Sequence, residues 1–115
     1  MEVRAKLSGM RGSARKVRLV ADQVRGKGVE DALGLLALSD KRFARPLAKL
    51  LRSAVANAQE KNERKKAGID IDNLFVQTVM VDEGPRAWRI MSRAQGRAAW
   101  IARRSAHVTI ELGER

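Results

Sequence analysis

Cysteine and tyrosine are absent from the 115 residues, and there is a single histidine, His107. Without cysteine there is no disulfide framework, no thiolate nucleophile and no Cys-based zinc site. One histidine supplies neither a His-based metal site nor a conventional catalytic triad. Apolar runs are short: none approaches the ~20 residues of a membrane span, and Met1–Lys6 has no apolar stretch of a secretory signal. The expectation is a soluble intracellular protein with no cofactor, no metal and no membrane contact. Acidic residues are scarce as well, 13 against 24 Lys plus Arg, leaving a net charge of +11. A field of that sign attracts phosphate, so a polyanion is the first partner to consider. The length fits one domain, 1–115, burying roughly two-thirds of its unfolded surface.

The charge is unevenly placed. Residues 1–28 hold eight bases and two acids, and 29–68 hold nine bases and five acids, an ordinary solvated mixture. Residues 69–85 have no base and four acids, Asp70, Asp72, Asp82 and Glu83. Residues 86–110 then hold six arginines, with neither a lysine nor an acid. Arginine used alone favours planar, bidentate phosphate contacts and base stacking.

Hydrophobic periodicity predicts the elements. Met1–Leu7 alternates as a half-buried strand; Gly9–Gly12 reads as a turn and Ser13 as a helix cap. Val17, Val20, Ala21 and Val24 form the apolar stripe of a helix over Ala14–Arg25, stopped by Gly26. A second helix fits Val29–Leu38, with Glu30 and Asp31 in its first turn. A third runs from about Arg45 to Asn62, with Pro46 in its first turn and Leu47, Leu50, Leu51, Ala54, Val55 and Ala58 facing inward. Lys61–Gly68 reads as a polar loop. Leu74–Val81 and Ala106–Leu112 read as strands. The order β-α-α-α-β-β implies an α+β domain with helices on one face of a small antiparallel sheet.

Pro85–Arg104 is ambiguous. Arginines at 86, 89, 93 and 97 follow helical spacing in an alanine-rich stretch. Gly96 and the flanking strands favour instead a long β-ribbon, about ten residues per arm and reaching ~30 Å. In one unbroken register Val76 pairs with Leu112, Met80 with Val108, and Trp88 faces Trp100 as a cross-strand pair; a bulge would break that register. The competing reading stacks each indole on an RNA base.

Four blocks, in order, carry a resemblance that covers nearly the whole chain. Ser13-Ala14-Arg15-Lys16-Val17-Arg18-Leu19-Val20, closed by Arg25-Gly26-Lys27, and Ser53-Ala54-Val55-Ala56-Asn57-Ala58 resemble two helices of the bacterial large-subunit ribosomal protein twenty-two family. Val81-Asp82-Glu83-Gly84-Pro85 and Arg93-Ala94-Gln95-Gly96-Arg97-Ala98, with Arg103-Arg104-Ser105-Ala106-His107-Val108-Thr109, are similar to its hairpin and last strand. The sequence departs from the family at Ser92, usually a proline, at Ala87-Trp88-Arg89, at Trp100 and in the basic stretch Glu60–Ile71. The resemblance implies three helices packed on a small three-stranded antiparallel sheet, with a long protruding β-hairpin at about 82–106. It further implies a structural role in the large subunit on the cytoplasmic ribosome. There the chain would bind 23S rRNA and aid its assembly, contact neighbouring large-subunit proteins as a monomer, and line the polypeptide exit tunnel.

On this reading the rRNA-binding residues are Arg11, Arg15, Lys16, Arg18, Arg25, Lys27, Arg86, Arg89, Arg93, Arg97, Arg103, Arg104 and His107. Arg89, Ile90, Met91 and Arg93 face the tunnel and touch the nascent polypeptide transiently. Three rivals stand beside it. A general nucleic-acid-binding module would act off the ribosome. A metal-dependent nuclease would need Asp70, Asp72, Asp82 and Glu83 to converge. A peripheral membrane protein would need an apolar face beside the basic one, for which 85–104 offers Ile90, Met91, Ile101 and the two tryptophans.

Overall fold

The computed structural model describes residues 3–66 and 68–114. Met1 and Glu2 of the expected first strand, and Ala67 of the expected loop, lie outside them. The order is β1 (Val3–Arg11), α1 (Ala14–Val24), α2 (Val29–Leu38), α3 (Ala44–Lys65), a 3-10 turn (Ile71–Asn73), β2 (Leu74–Glu83), β3 (Ala87–Ser92), a 3-10 turn (Ala94–Gly96), β4 (Ala98–Arg103) and β5 (Ser105–Glu114). The fold is α+β: three helices and a three-stranded antiparallel sheet, β1-β5-β2, plus a separate ribbon, β3-β4.

Apolar periodicity explains the body. Val17, Val20, Ala21 and Val24 of α1 and Leu47, Leu50, Leu51, Ala54 and Ala58 of α3 are buried in one core cluster with Val108, Ile110 and Leu112 of the central β5. Small residues at 54 and 58 let α3 lie close to the sheet.

Four features differ from expectation. β1 runs past Gly9, whose φ of 71° marks a break in the β1–β5 register between Leu7 and Met10, so the turn is confined to Gly12 and Ser13. Glycine inside a strand pattern signals such a bulge. Ser13 occupies the N-cap position of α1 without a side-chain cap bond; its carbonyl oxygen accepts from the Lys16 and Val17 amides. Gly12 has φ 142°, and a Cβ there would drive into the Phe43 ring. The third helix continues to Lys65, through residues expected as loop. An i,i+4 ion pair, Arg64 to Glu60, supports the extra turn, and Lys66 ends it at φ 46°. Asn62 then clasps the following chain, its Nδ2 donating to the Ile69 carbonyl and its Oδ1 accepting from the Ile69 amide.

The fourth difference is the register of β2. Val76 faces Leu112 as expected, but a bulge at Gln77 shifts the ladder by one. Val81, not Met80, therefore faces Val108; Val79 and Val81 point inward and Met80 is 42% exposed. A second offset separates sheet from ribbon, where Gly84–Arg86 stand against Arg104 and Ser105. Trp88 consequently faces Ala102 and Trp100 faces Ile90, so the expected opposed tryptophan pair does not form.

Candidate nucleic-acid interface

Pro85–Arg104 is a ribbon, not a helix. Its paired arms have six residues each, about 20 Å of strand and shorter than the ten expected. Every residue of β3 is exposed. The molecule measures 65 × 28 × 16 Å with a radius of gyration of 17.5 Å, against roughly 13 Å for a compact chain of this length. Gln95 and Gly96, both with positive φ, turn the tip, where the Arg93 amide donates to the Arg97 carbonyl.

The root is pinned by short-range bonds. The Gly84 amide donates to the Ser105 carbonyl, and Ser105 Oγ donates to the Pro85 carbonyl at 2.7 Å. A Cβ on Gly84 would collide with the Ser105 hydroxyl and crowd the His107 ring. Sequence reading missed Ser105; its signal was the Gly-Pro pair opposite, which interrupts a ladder and leaves a carbonyl to satisfy.

At this root the two basic blocks, some 70 residues apart in sequence, come together. Arg11 pairs with Ser105, and the Gly12 amide donates to the Arg104 carbonyl at 3.0 Å. Arg11, Arg15, Lys16, Arg18, Arg86 and Arg104 are all exposed. Arg25 and Lys27 lie at the far end of α1, and Arg89, Arg93, Arg97 and Arg103 run out along the ribbon. Among the described residues, no carboxylate lies within ion-pair distance of Arg89, Arg93, Arg97, Arg103 or Arg104. Arg86 has only a 3.9 Å contact with exposed Glu83, a pair of little energetic weight.

Three expected RNA contacts also have partners within the fold. Arg18 donates through Nε and Nη2 to the Val81 carbonyl, at 3.2 and 2.8 Å. Arg25 donates to the Val79 carbonyl at 2.8 Å and pairs with Asp22. β2 is an edge strand, and these carbonyls, with Val76 bonded to Gly26 and Lys27, are its outward-facing groups. His107 is half-buried and accepts the Gly9 amide proton at Nδ1, 2.9 Å, tying the β1 bulge to β5. Residues expected to face the tunnel divide: Arg89 and Met91 share one ribbon face, Ile90 lies on the other, and Arg93 sits at the tip.

The four acidic residues do not converge but fall at opposite ends of β2. Asp70 accepts from the Asp72 amide and from Asn73 Nδ2, capping the first 3-10 turn, and Asp82 lies opposite His107 at the other end of β2. No group of three potential metal ligands occurs among the described residues, and no helix is long and apolar enough to cross a membrane. A groove between α2 and α3 is lined by Glu30, Asp31 and Asp72 with Arg52, a charge balance unsuited to phosphate.

Among protein families, the model described as ribosomal protein L22p/L17e matches residues 5–113.

Proposed function

The chain belongs to the ribosomal protein L22p/L17e family, structural constituents of the large ribosomal subunit rather than enzymes, and from that premise we propose that its basic surface binds 23S rRNA. Arg11, Arg15 and Lys16, with Arg86 and Arg104, form the body's contact with phosphate; Arg93, Arg97 and Arg103 extend it along the ribbon between RNA segments. Lys27 adds charge at the other end of α1. Arg18, Arg25 and His107 contribute chiefly by holding the scaffold, with the remaining guanidinium donors available to phosphate. One observation carries this reading: two acid-poor basic blocks converge at the ribbon root, and most of the ribbon's guanidinium groups have no carboxylate partner. Packed RNA supplies both counter-charge and order to such an extension.

The ribbon tip lines the polypeptide exit tunnel, with Arg89, Met91 and Arg93 towards the growing chain. This placement rests on the family resemblance and on the length of the exposed ribbon. Neighbouring large-subunit proteins complete the surroundings, and rRNA folding during assembly is assisted by neutralising phosphates where segments meet.

Binding of the protein to a 23S rRNA fragment is expected to weaken steeply with salt, each neutralised phosphate adding about 0.7–0.9 to the slope of log K against log salt. Arg15→Glu with Lys16→Glu weakens docking and lowers the slope. Affinity that scarcely changes between about 50 and 500 mM salt overturns the reading. A photo-crosslinking residue at Met91 captures nascent chains in stalled ribosomes; one at Lys49 does not.

A further inference from the structure

Charge does not account for the ribbon's tryptophans. The ladder puts Trp88, Ile90 and Ser92 on one face together with Ala98, Trp100 and Ala102. That face has no charged residue. Trp88 is 54% exposed, Ile90 64% and Trp100 67%, although each belongs to a class of side chain that ordinarily seeks burial. Trp88 and Trp100 are diagonal neighbours across the strands, about 7–8 Å apart at the backbone. Apart from Ile90, their neighbours on this face are small, which leaves the indoles open to a flat ligand.

The arginines specify the chemistry of that ligand. Arg93 and Arg97 close the strip at the tip, Arg86 and Arg104 close it at the root, and Arg89 and Arg103 occupy the reverse face. A polymer carrying negative charge at regular intervals with planar rings between them fits this alternation. A lipid surface is the other amphiphile of suitable charge, but the face offers it one aliphatic side chain beyond alanine, Ile90.

We propose that the Trp88–Ile90–Trp100 face is a stacking platform for unpaired nucleobases of RNA, with the arginines at its two ends holding the flanking phosphates. The proposal rests on the RNA-binding reading and adds to it the face and the chemical group recognised. Indole stacking is sequence-tolerant because every base has a π-face, so the platform would hold a bulged or looped segment without selecting its sequence.

Both tryptophans of the chain lie on this face, and intrinsic fluorescence therefore reads it directly. Oligoadenylate titrated into the full chain at low salt is expected to quench that fluorescence. An abasic oligomer of equal length and charge binds without quenching. By anisotropy of a labelled oligomer, Trp88→Leu with Trp100→Leu weakens oligoadenylate binding at least tenfold and leaves abasic binding unchanged. Equal quenching by the two oligomers, or undiminished affinity in the double variant, overturns the platform while phosphate binding stands. Tighter binding to phosphatidylglycerol vesicles than to oligoadenylate at equal total charge also overturns it. If neither oligomer binds, the RNA-binding reading itself fails.

Discussion

At the residue scale, neighbouring basic side chains on one helix do different work. Arg18 sends a forked pair of donors to an edge-strand carbonyl, whereas exposed Lys16 touches no such group. Arg18→Lys keeps the charge and loses the planar fork; it is expected to cost about 1 kcal/mol in thermal unfolding with an unchanged salt slope of RNA binding. Lys16→Gln should do the reverse, lowering the slope by about 0.7–0.9 at unaltered melting temperature. Gly12 is constrained by space. Gly12→Ala puts a methyl group into the Phe43 ring at a backbone angle unfavourable for L-residues, an expected loss of about 2 kcal/mol by denaturant titration.

At the element scale, α1 does more than cover the sheet. The outward carbonyls of β2 fall at Val76, Val79 and Val81, a spacing of three and then two set by the bulge at Gln77. Gly26, Arg25 and Arg18 meet them in turn. On the opposite edge, Asn57 Nδ2 of α3 donates to the Arg4 carbonyl of β1. Both edges are thereby blunted against pairing with another chain. The elements are legible in the sequence wherever apolar residues recur, which is why the expected bounds of α1 and α2 and the expected inward face of β5 lie close to the observed ones. The bulge at Gln77 is not legible, because an inserted residue of that kind changes the phase of a strand without changing its composition. The end of α3 is hidden in the sequence for a related reason. Polarity marks exposure, and an exposed helical turn held by Glu60 and Arg64 reads like a loop. In the candidate site, arginine-only composition identified the ribbon's chemistry, but the face on which each side chain falls depends on the two register offsets. Arg18 and Arg25 read as free cations because their carbonyl partners lie more than 50 residues away in sequence. Gly84→Ala tests the root: displacing Ser105 and His107 should re-aim the ribbon, weakening rRNA-fragment binding several-fold while the far-ultraviolet dichroism of the body is retained.

For the whole molecule, folding and binding are divided between two parts. The body buries its apolar side chains around β5, whereas the ribbon contributes none of the fully buried ones. A two-stranded ribbon standing alone is marginal in water, and six arginines along it repel one another. Local stability should therefore fall sharply beyond Gly84 and Arg104. Hydrogen exchange is expected to give β5 amides protection near that of global unfolding and amides of 87–103 little protection. Bound rRNA should raise the ribbon's protection by orders of magnitude and that of β5 scarcely at all. Replacing 87–103 by a short glycine-containing turn should leave the melting temperature within a few degrees while removing much of the salt-dependent affinity. If the body unfolded on that deletion, the ribbon would belong to the core. If the free ribbon were as protected as β5, its order would be intrinsic and RNA would not be needed to supply it.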